Sequence, residues 1–166
     1  RRSTFLIMEI IDKFLPQKDF KYLQDFIMGP DITWHIQQGL AYRDKVGKDV
    51  LLTHMFYQNE EPHSPFVNEM VPLLEKLDRK VLIRLKANAY PITDKIVVHP
   101  RHTDLDYECK TALFYINTND GWTEFDDGTK VDSVENRLVV FDSQVPHSST
   151  SCTDAKVRYN ININYF

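Results

Sequence analysis

Four residues in the C-terminal half of the chain have the types and spacing to do chemistry together: His102, Asp104, His147 and Arg158. In an extended strand, side chains at i and i+2 project from the same face. His102-Thr103-Asp104 can therefore direct an imidazole nitrogen and a carboxylate oxygen at one ion. His147 follows Asp104 by 43 residues, enough chain to cross a sheet and bring back a third ligand. Two imidazoles and one carboxylate leave positions open on an octahedral ion, the ligand pattern of ferrous centres that use oxygen. Arg158, 11 residues beyond His147, offers a planar two-pronged donor suited to a carboxylate.

The elements that must position these residues are mainly strands. From Lys80 onward the period is two. Val81, Ile83, Leu85, Ala87 and Ala89 alternate with Leu82, Arg84, Lys86, Asn88 and Tyr90, which predicts a strand with one apolar and one mainly polar face. Residues 110–117 read as a strand, Asn119-Asp120-Gly121 as a hairpin turn, and 122–125 as the return strand. Asp126-Asp127-Gly128 marks the next turn, and short strands follow over 130–134 and 137–141. The last strand, 156–166, sets Arg158, Asn160, Asn162 and Asn164 on one face and Tyr159, Ile161, Ile163 and Tyr165 on the other.

Ahead of this block, residues 4–15 read as an opening strand or short helix. A helix is predicted over 16–28, punctuated by Pro16 and by Gly29-Pro30. Residues 32–42 suggest a strand pair or a bent strand carrying a core Trp34 beside His35. A strand over 50–57 and a loop over 60–65 lead to an amphipathic helix over 66–77, in which Pro72 marks a first turn or a kink. Helices first and closely spaced strands second predict an α+β, mainly β fold: an antiparallel double-sheet barrel buttressed by N-terminal helices. We expect a single domain over 1–166, with helical support over about 1–80 and the barrel over about 81–166.

The composition, 42% hydrophobic and 27% charged, is that of a globular protein. A net charge of -4 with no basic run gives no reason to expect nucleic acid, and no apolar run reaches the length of a membrane span. Cys109 and Cys152 stand alone, without a CxxC pair. Two free thiols fit a reducing cytoplasm, in a bacterial or phage-infected cell, where iron also stays ferrous.

The C-terminal half resembles the 2-oxoglutarate/Fe(II)-dependent dioxygenases, and among them the prolyl 4-hydroxylase-like group. The resemblance is carried by His102-Thr-Asp104, Thr111-Ala-Leu-Phe-Tyr-Ile-Asn117, Arg137-Leu-Val-Val-Phe-Asp142, His147 and the segment Arg158–Phe166, in order and at fitting intervals. The hairpin over Asn117–Val131 is also similar to phage-encoded members. The resemblance implies a double-stranded β-helix (jelly roll) and assigns His102, Asp104 and His147 to Fe(II). It implies that Arg158 binds the distal carboxylate of 2-oxoglutarate, with the Tyr115 hydroxyl supporting that carboxylate and Tyr90 near the metal-side end of the co-substrate. The activity implied is hydroxylation of a C–H bond with O2, releasing succinate and CO2, on a peptidyl proline by analogy. One departure is Gly121-Trp122-Thr123 where many relatives carry a Gly-Gly pair.

Other readings compete. His99 forms an HxxH with His102 and Asp106 is a second nearby carboxylate; both are expected to be bystanders. A free amino acid, a small metabolite or a nucleobase could replace the peptide as substrate, and a jelly-roll binding module would keep the fold without turnover. The partner expected is a peptide or a small molecule. An open groove beside residues 92–101 would favour the peptide, and a closed cavity walled by the asparagines of the last strand would favour the small molecule.

Overall fold

The computed structural model describes residues 8–38 and 50–166. The expectations for residues 4–7 and 39–42 lie outside the described residues. The chain enters through strand β1 (Glu9–Ile11) and helix α1 (Gln17–Met28). Pro16 precedes the helix, and Gly29 ends it with its N–H bonded to the Phe26 carbonyl. Phe20, Leu23 and Ile27 recur at helical spacing and are buried.

Strands β2 (His35–Gln38), β3 (Val50–Gln58) and β4 (Glu61–Pro62) follow. The expected loop after β3 is instead a tight hairpin. Asn59 and Glu60 both take left-handed φ, 54° and 63°, and pair Tyr57 with Pro62. The amphipathic stretch 66–77 divides into a 3-10 turn (Val67–Met70) and helix α2 (Val71–Lys76). Pro72 lies in the first turn of α2, where a missing N–H costs no hydrogen bond. His35 is exposed, and half-buried Trp34 packs on Tyr159 with ring centroids 5.6 Å apart.

The remaining strands are β5 (Leu82–Pro91), β6 (Lys110–Tyr115), β7 (Trp122–Phe125), β8 (Lys130–Asp132), β9 (Arg137–Asp142), β10 (His147–Ser149) and β11 (Val157–Tyr165). They form two antiparallel sheets. The larger has the order β1-β9-β6-β11-β5-β3-β2, with β4 on β3. The smaller has the order β10-β7-β8 and is continued by bridges from Val98 to Thr150 and from His102 to His147. This is a double-stranded β-helix, mainly β with few helices.

Two expectations are corrected. Residues 110–125 do not form a hairpin, because β6 pairs with β9 and β11 whereas β7 pairs with β8 and β10. The Asn119-Asp120-Gly121 turn carries the chain from one sheet to the other. There the Asn119 side chain accepts the Gly121 N–H and donates to the Asn117 carbonyl. The support segment is also more than helical: β1 extends the large sheet beyond β9, and β3 and β2 extend it beyond β5.

The main core lies where α1, α2 and the outer face of the large sheet meet. Phe20, Leu23, Ile27, Leu73 and Leu74 pack there with Leu85, Ala87, Phe114, Ile161 and Ile163. Asn136, at a left-handed φ of 59°, ties the N-terminal segment down through hydrogen bonds to both the N–H and the carbonyl of Leu15. A smaller core of Leu113, Tyr115, Phe125, Val131, Val139 and Phe141 lies between the two sheets. The helices thus take up the apolar side of the large sheet and leave its polar side facing into the barrel.

Candidate active site

The bridge between His102 and His147, with N–H to carbonyl bonds of 3.0 and 2.9 Å in the two directions, sets their imidazoles side by side at 4.6 Å between centroids. Each Nδ1 faces a backbone carbonyl: Val145 at 2.9 Å for His147 and Pro100 at 3.3 Å for His102. Those carbonyls can only accept, so Nδ1 carries the proton and Nε2 presents its lone pair. Both Nε2 atoms lie 3.9 Å from Asp104 Oδ1.

The other carboxylate oxygen is committed elsewhere. Asp104 Oδ2 accepts from Thr111 Oγ1 (2.9 Å), Asn162 Nδ2 (3.1 Å) and Asn164 Nδ2 (3.2 Å). Burial alone would raise the Asp104 carboxyl pKa. The imidazole of His147, the Arg84 guanidinium, the Asn162 amide and the Lys86 ammonium outweigh it and hold the pKa down to about 2. Burial and the neighbouring His147 lower the pKa of His102, favouring the neutral ring that a metal needs. Three lone-pair-bearing atoms therefore converge on one volume at separations too long for hydrogen bonds among themselves. A divalent cation fits that donor set. His99 and Asp106 stay apart from it: His99 is buried against Tyr90 and Ser149, and Asp106 is exposed.

Arg158 starts the inward-facing row of β11 and is fully buried. Its Nε donates to Ser133 Oγ (2.6 Å), Nη1 to the Thr150 carbonyl (3.4 Å) and Nη2 to Thr123 Oγ1 (3.3 Å). No carboxylate pairs with it among the described residues. A buried guanidinium without a counter-charge costs several kcal/mol, and a bound anion would offset that cost.

The register of β5 on β11 sets Tyr90 directly opposite Arg158, with its ring 5.2 Å from the guanidinium carbon. Tyr90 lines the same cavity as the three donor residues. The Tyr115 hydroxyl donates to Thr123 Oγ1 at 2.7 Å, and its ring lies 5.6 Å from the Arg158 guanidinium carbon. Thr123, which the sequence reading passed over, accepts from both Tyr115 and Arg158. Its own proton is left to donate into the cavity that it lines.

Gly121 is required by close approach. A Cβ there would fall 2.6 Å from Arg158 Cδ and 2.7 Å from the Ser151 carbonyl oxygen. Gly121→Ala is expected to destabilise the fold by about 1–3 kcal/mol, measured by chemical denaturation. An unchanged midpoint would mean that the arginine shaft moves aside freely.

A cavity of about 240 Å³ joins the two ends. Its wall includes His102, Asp104, His147, Asn162, Asn160, Asn88, Tyr90 and Thr123; Arg158 contacts Tyr90 and Thr123, and Tyr115 bonds to Thr123. The polar face of β5, which the alternation alone would place toward solvent, faces this cavity. Lys86 is on that face. Burial and Arg84 pull its ammonium pKa down to about 8 against the pull of Asp104. A lysine whose folded pKa lies below its unfolded value of 10.5 weakens the fold while charged. That penalty is full below about pH 8 and vanishes as the pH rises toward 10.5. Lys86→Met is therefore expected to stabilise the ligand-free protein at pH 7 by roughly 1–3 kcal/mol, a gain that shrinks above pH 10. Thermal unfolding at the two pH values checks this, and a lower melting temperature at pH 7 would contradict it.

No family model and no curated protein matches the sequence. Solved structures do match the fold. A prolyl hydroxylase of Trichoplax adhaerens, solved with a peptide fragment of the hypoxia inducible factor oxygen degradation domain, is similar with a TM-score of 0.67 at 18% identity, over 96% of this chain and 83% of that one. A 2OG-Fe(II) oxygenase family oxidoreductase of Burkholderia pseudomallei gives 0.65 at 11% identity, over 95% and 84%. A prolyl-4-hydroxylase of Pseudomonas putida gives 0.59 at 17% identity, over 95% and 91%. The chain thus has the double-stranded β-helix fold found in 2-oxoglutarate/Fe(II) oxygenases, prolyl hydroxylases among them.

Proposed function

We propose that this protein is an Fe(II)- and 2-oxoglutarate-dependent dioxygenase that hydroxylates a C–H bond. One observation supports the reading most: a cavity has three converging metal-donor atoms in its wall, and its wall residues Tyr90 and Thr123 touch a buried guanidinium that has no carboxylate partner among the described residues. His102, Asp104 and His147 would hold Fe(II). The ion, with O2, would supply the oxidation in which R–H, O2 and 2-oxoglutarate give R–OH, succinate and CO2. The chain's own residues bind and orient. Arg158, with the Thr123 hydroxyl, takes the distal carboxylate, and Tyr115 and Tyr90 hold that pair in place. Asn162, Asn164 and Thr111 fix which oxygen of Asp104 faces the metal. The free, buried thiols of Cys109 and Cys152 fit the reducing cytoplasm that ferrous chemistry needs.

A peptidyl prolyl substrate follows by analogy with the hydroxylases of this fold. The asparagine-walled cavity favours a small polar molecule instead. The test of the enzyme reading is anaerobic titration of the apo-protein with Fe(II) and then 2-oxoglutarate, following the visible charge-transfer band of the chelate. A saturable band is expected. A folded protein that gives no band at saturating ligand would leave a jelly-roll binding module.

A further inference from the structure

The cavity wall carries polar groups that neither the metal end nor the arginine end uses. Alternation along β5 sets Arg84, Lys86, Asn88 and Tyr90 on the cavity face. Tyr90 is taken by Arg158. Arg84 gives its Nε to Asn164 Oδ1 at 2.9 Å and lies 3.5 Å from Asp104 through Nη2. Lys86 lines the cavity with no hydrogen bond and no ion pair among the described residues.

Two acceptors stand close to it in the same wall. Asn162, the register partner of Lys86, gives its Nδ2 to Asp104, and its Oδ1 is buried without a partner among the described residues. Asn88, the next inward residue along β5, gives its Nδ2 to Asn160 Oδ1, and its Oδ1 is likewise buried and without a partner among the described residues. Buried amide oxygens are costly unless something satisfies them, and a half-buried cation such as Lys86 is costly without a counter-charge. The first need an N–H or O–H donor and the second needs an anion. One small ligand that brings both would satisfy the wall.

We propose that the substrate is a small zwitterion of the free α-amino acid class, with its carboxylate on Lys86 beside Arg84 and its ammonium on the amide oxygens of Asn88 and Asn162. This rests on the dioxygenase reading above and narrows its substrate. A residue inside a peptide carries neither charge. It would leave the Lys86 ammonium unpaired in the wall, the kind of mismatch that binding sites reject strongly.

The test uses the full chain loaded with Fe(II) and 2-oxoglutarate. Succinate release is measured with each free L-amino acid, with the primary amide of each, and with a short proline-containing peptide. One amino acid or a small set is expected to raise succinate release at least tenfold over the substrate-free rate. The matching amide should keep less than a tenth of kcat/KM. Lys86→Met, which folds at least as well by the argument above, should raise KM for that amino acid 10- to 100-fold. The 2-oxoglutarate affinity read from the anaerobic band should stay within twofold. Amides or the peptide working as well as the free acids would overturn the proposal, as would a formed band with no amino acid stimulating turnover. A loss of 2-oxoglutarate affinity in Lys86→Met would overturn it too, by giving Lys86 to the co-substrate. Absence of the band would remove the enzyme reading, and this proposal with it.

Discussion

Asp104→Asn is expected to give a folded protein that no longer holds Fe(II), with affinity down about 10³-fold, or roughly 4 kcal/mol. The reason is the asymmetry of the carboxylate's surroundings. Three donors, from Thr111, Asn162 and Asn164, face Oδ2, and two imidazole lone pairs face the other side through Oδ1. An amide introduced there must choose. Its oxygen suits only the face with three donors, so its NH2 turns toward the two Nε2 atoms and offers protons where the metal would sit. The donors stay satisfied and the fold is kept. The cation loses an anionic ligand and meets a donor in its place. Equilibrium dialysis of Fe(II) under anaerobic conditions, with circular dichroism as the folding control, measures both halves. Retained metal affinity in the folded variant would remove Asp104 from the ligand set.

The sequence carried the ends of this site more clearly than its middle. His102-Thr103-Asp104, His147 and Arg158 were legible as candidates because metal ligation and carboxylate binding would demand particular residue types at intervals that a sheet can close. Tyr90 and Tyr115 were legible as residues, but their contacts were not. What they touch depends on the pairing of β5 with β11 and on Thr123 reaching across from the other sheet, and neither follows from local pattern. Lys86 and Asn88 read as the mainly polar face of a strand. Period-two alternation tells the two faces apart but cannot tell solvent from the inside of a barrel. The same limit explains the supposed hairpin at 119–121. The turn residues were correctly read as a turn, but the partner of β7 is set by sheet topology, and β10, three residues long, is paired into place by its neighbours. The role of Gly121 emerges only from the arginine shaft passing over it.

Arg158→Met should separate the two ends of the cavity. The side chain is buried, has no carboxylate partner among the described residues, and is placed by three neutral acceptors: Ser133, the Thr150 carbonyl and Thr123. Removing the charge takes away the groups that would pair with the distal carboxylate of 2-oxoglutarate. Loss of one partner from a buried charged pair costs about 2–5 kcal/mol. The co-substrate's dissociation constant should therefore rise roughly 10²- to 10³-fold, while Fe(II) binding, which depends on the far end, is unchanged. Arg158→Lys is the sharper control. It keeps the charge but loses the planar fork, and one ammonium cannot serve Ser133, Thr123 and a carboxylate as the guanidinium can. Its co-substrate affinity should fall nearly as far. If Arg158→Lys restores wild-type affinity, the arginine supplies only charge, and the hydrogen bonds that hold it are packing alone. If neither variant changes the affinity, the anion binds elsewhere in the cavity and the cations of β5 become its candidates. Reading the chelate band and the Fe(II) dissociation constant on both variants decides among these outcomes, because the band needs both ends of the cavity and the metal constant needs only one.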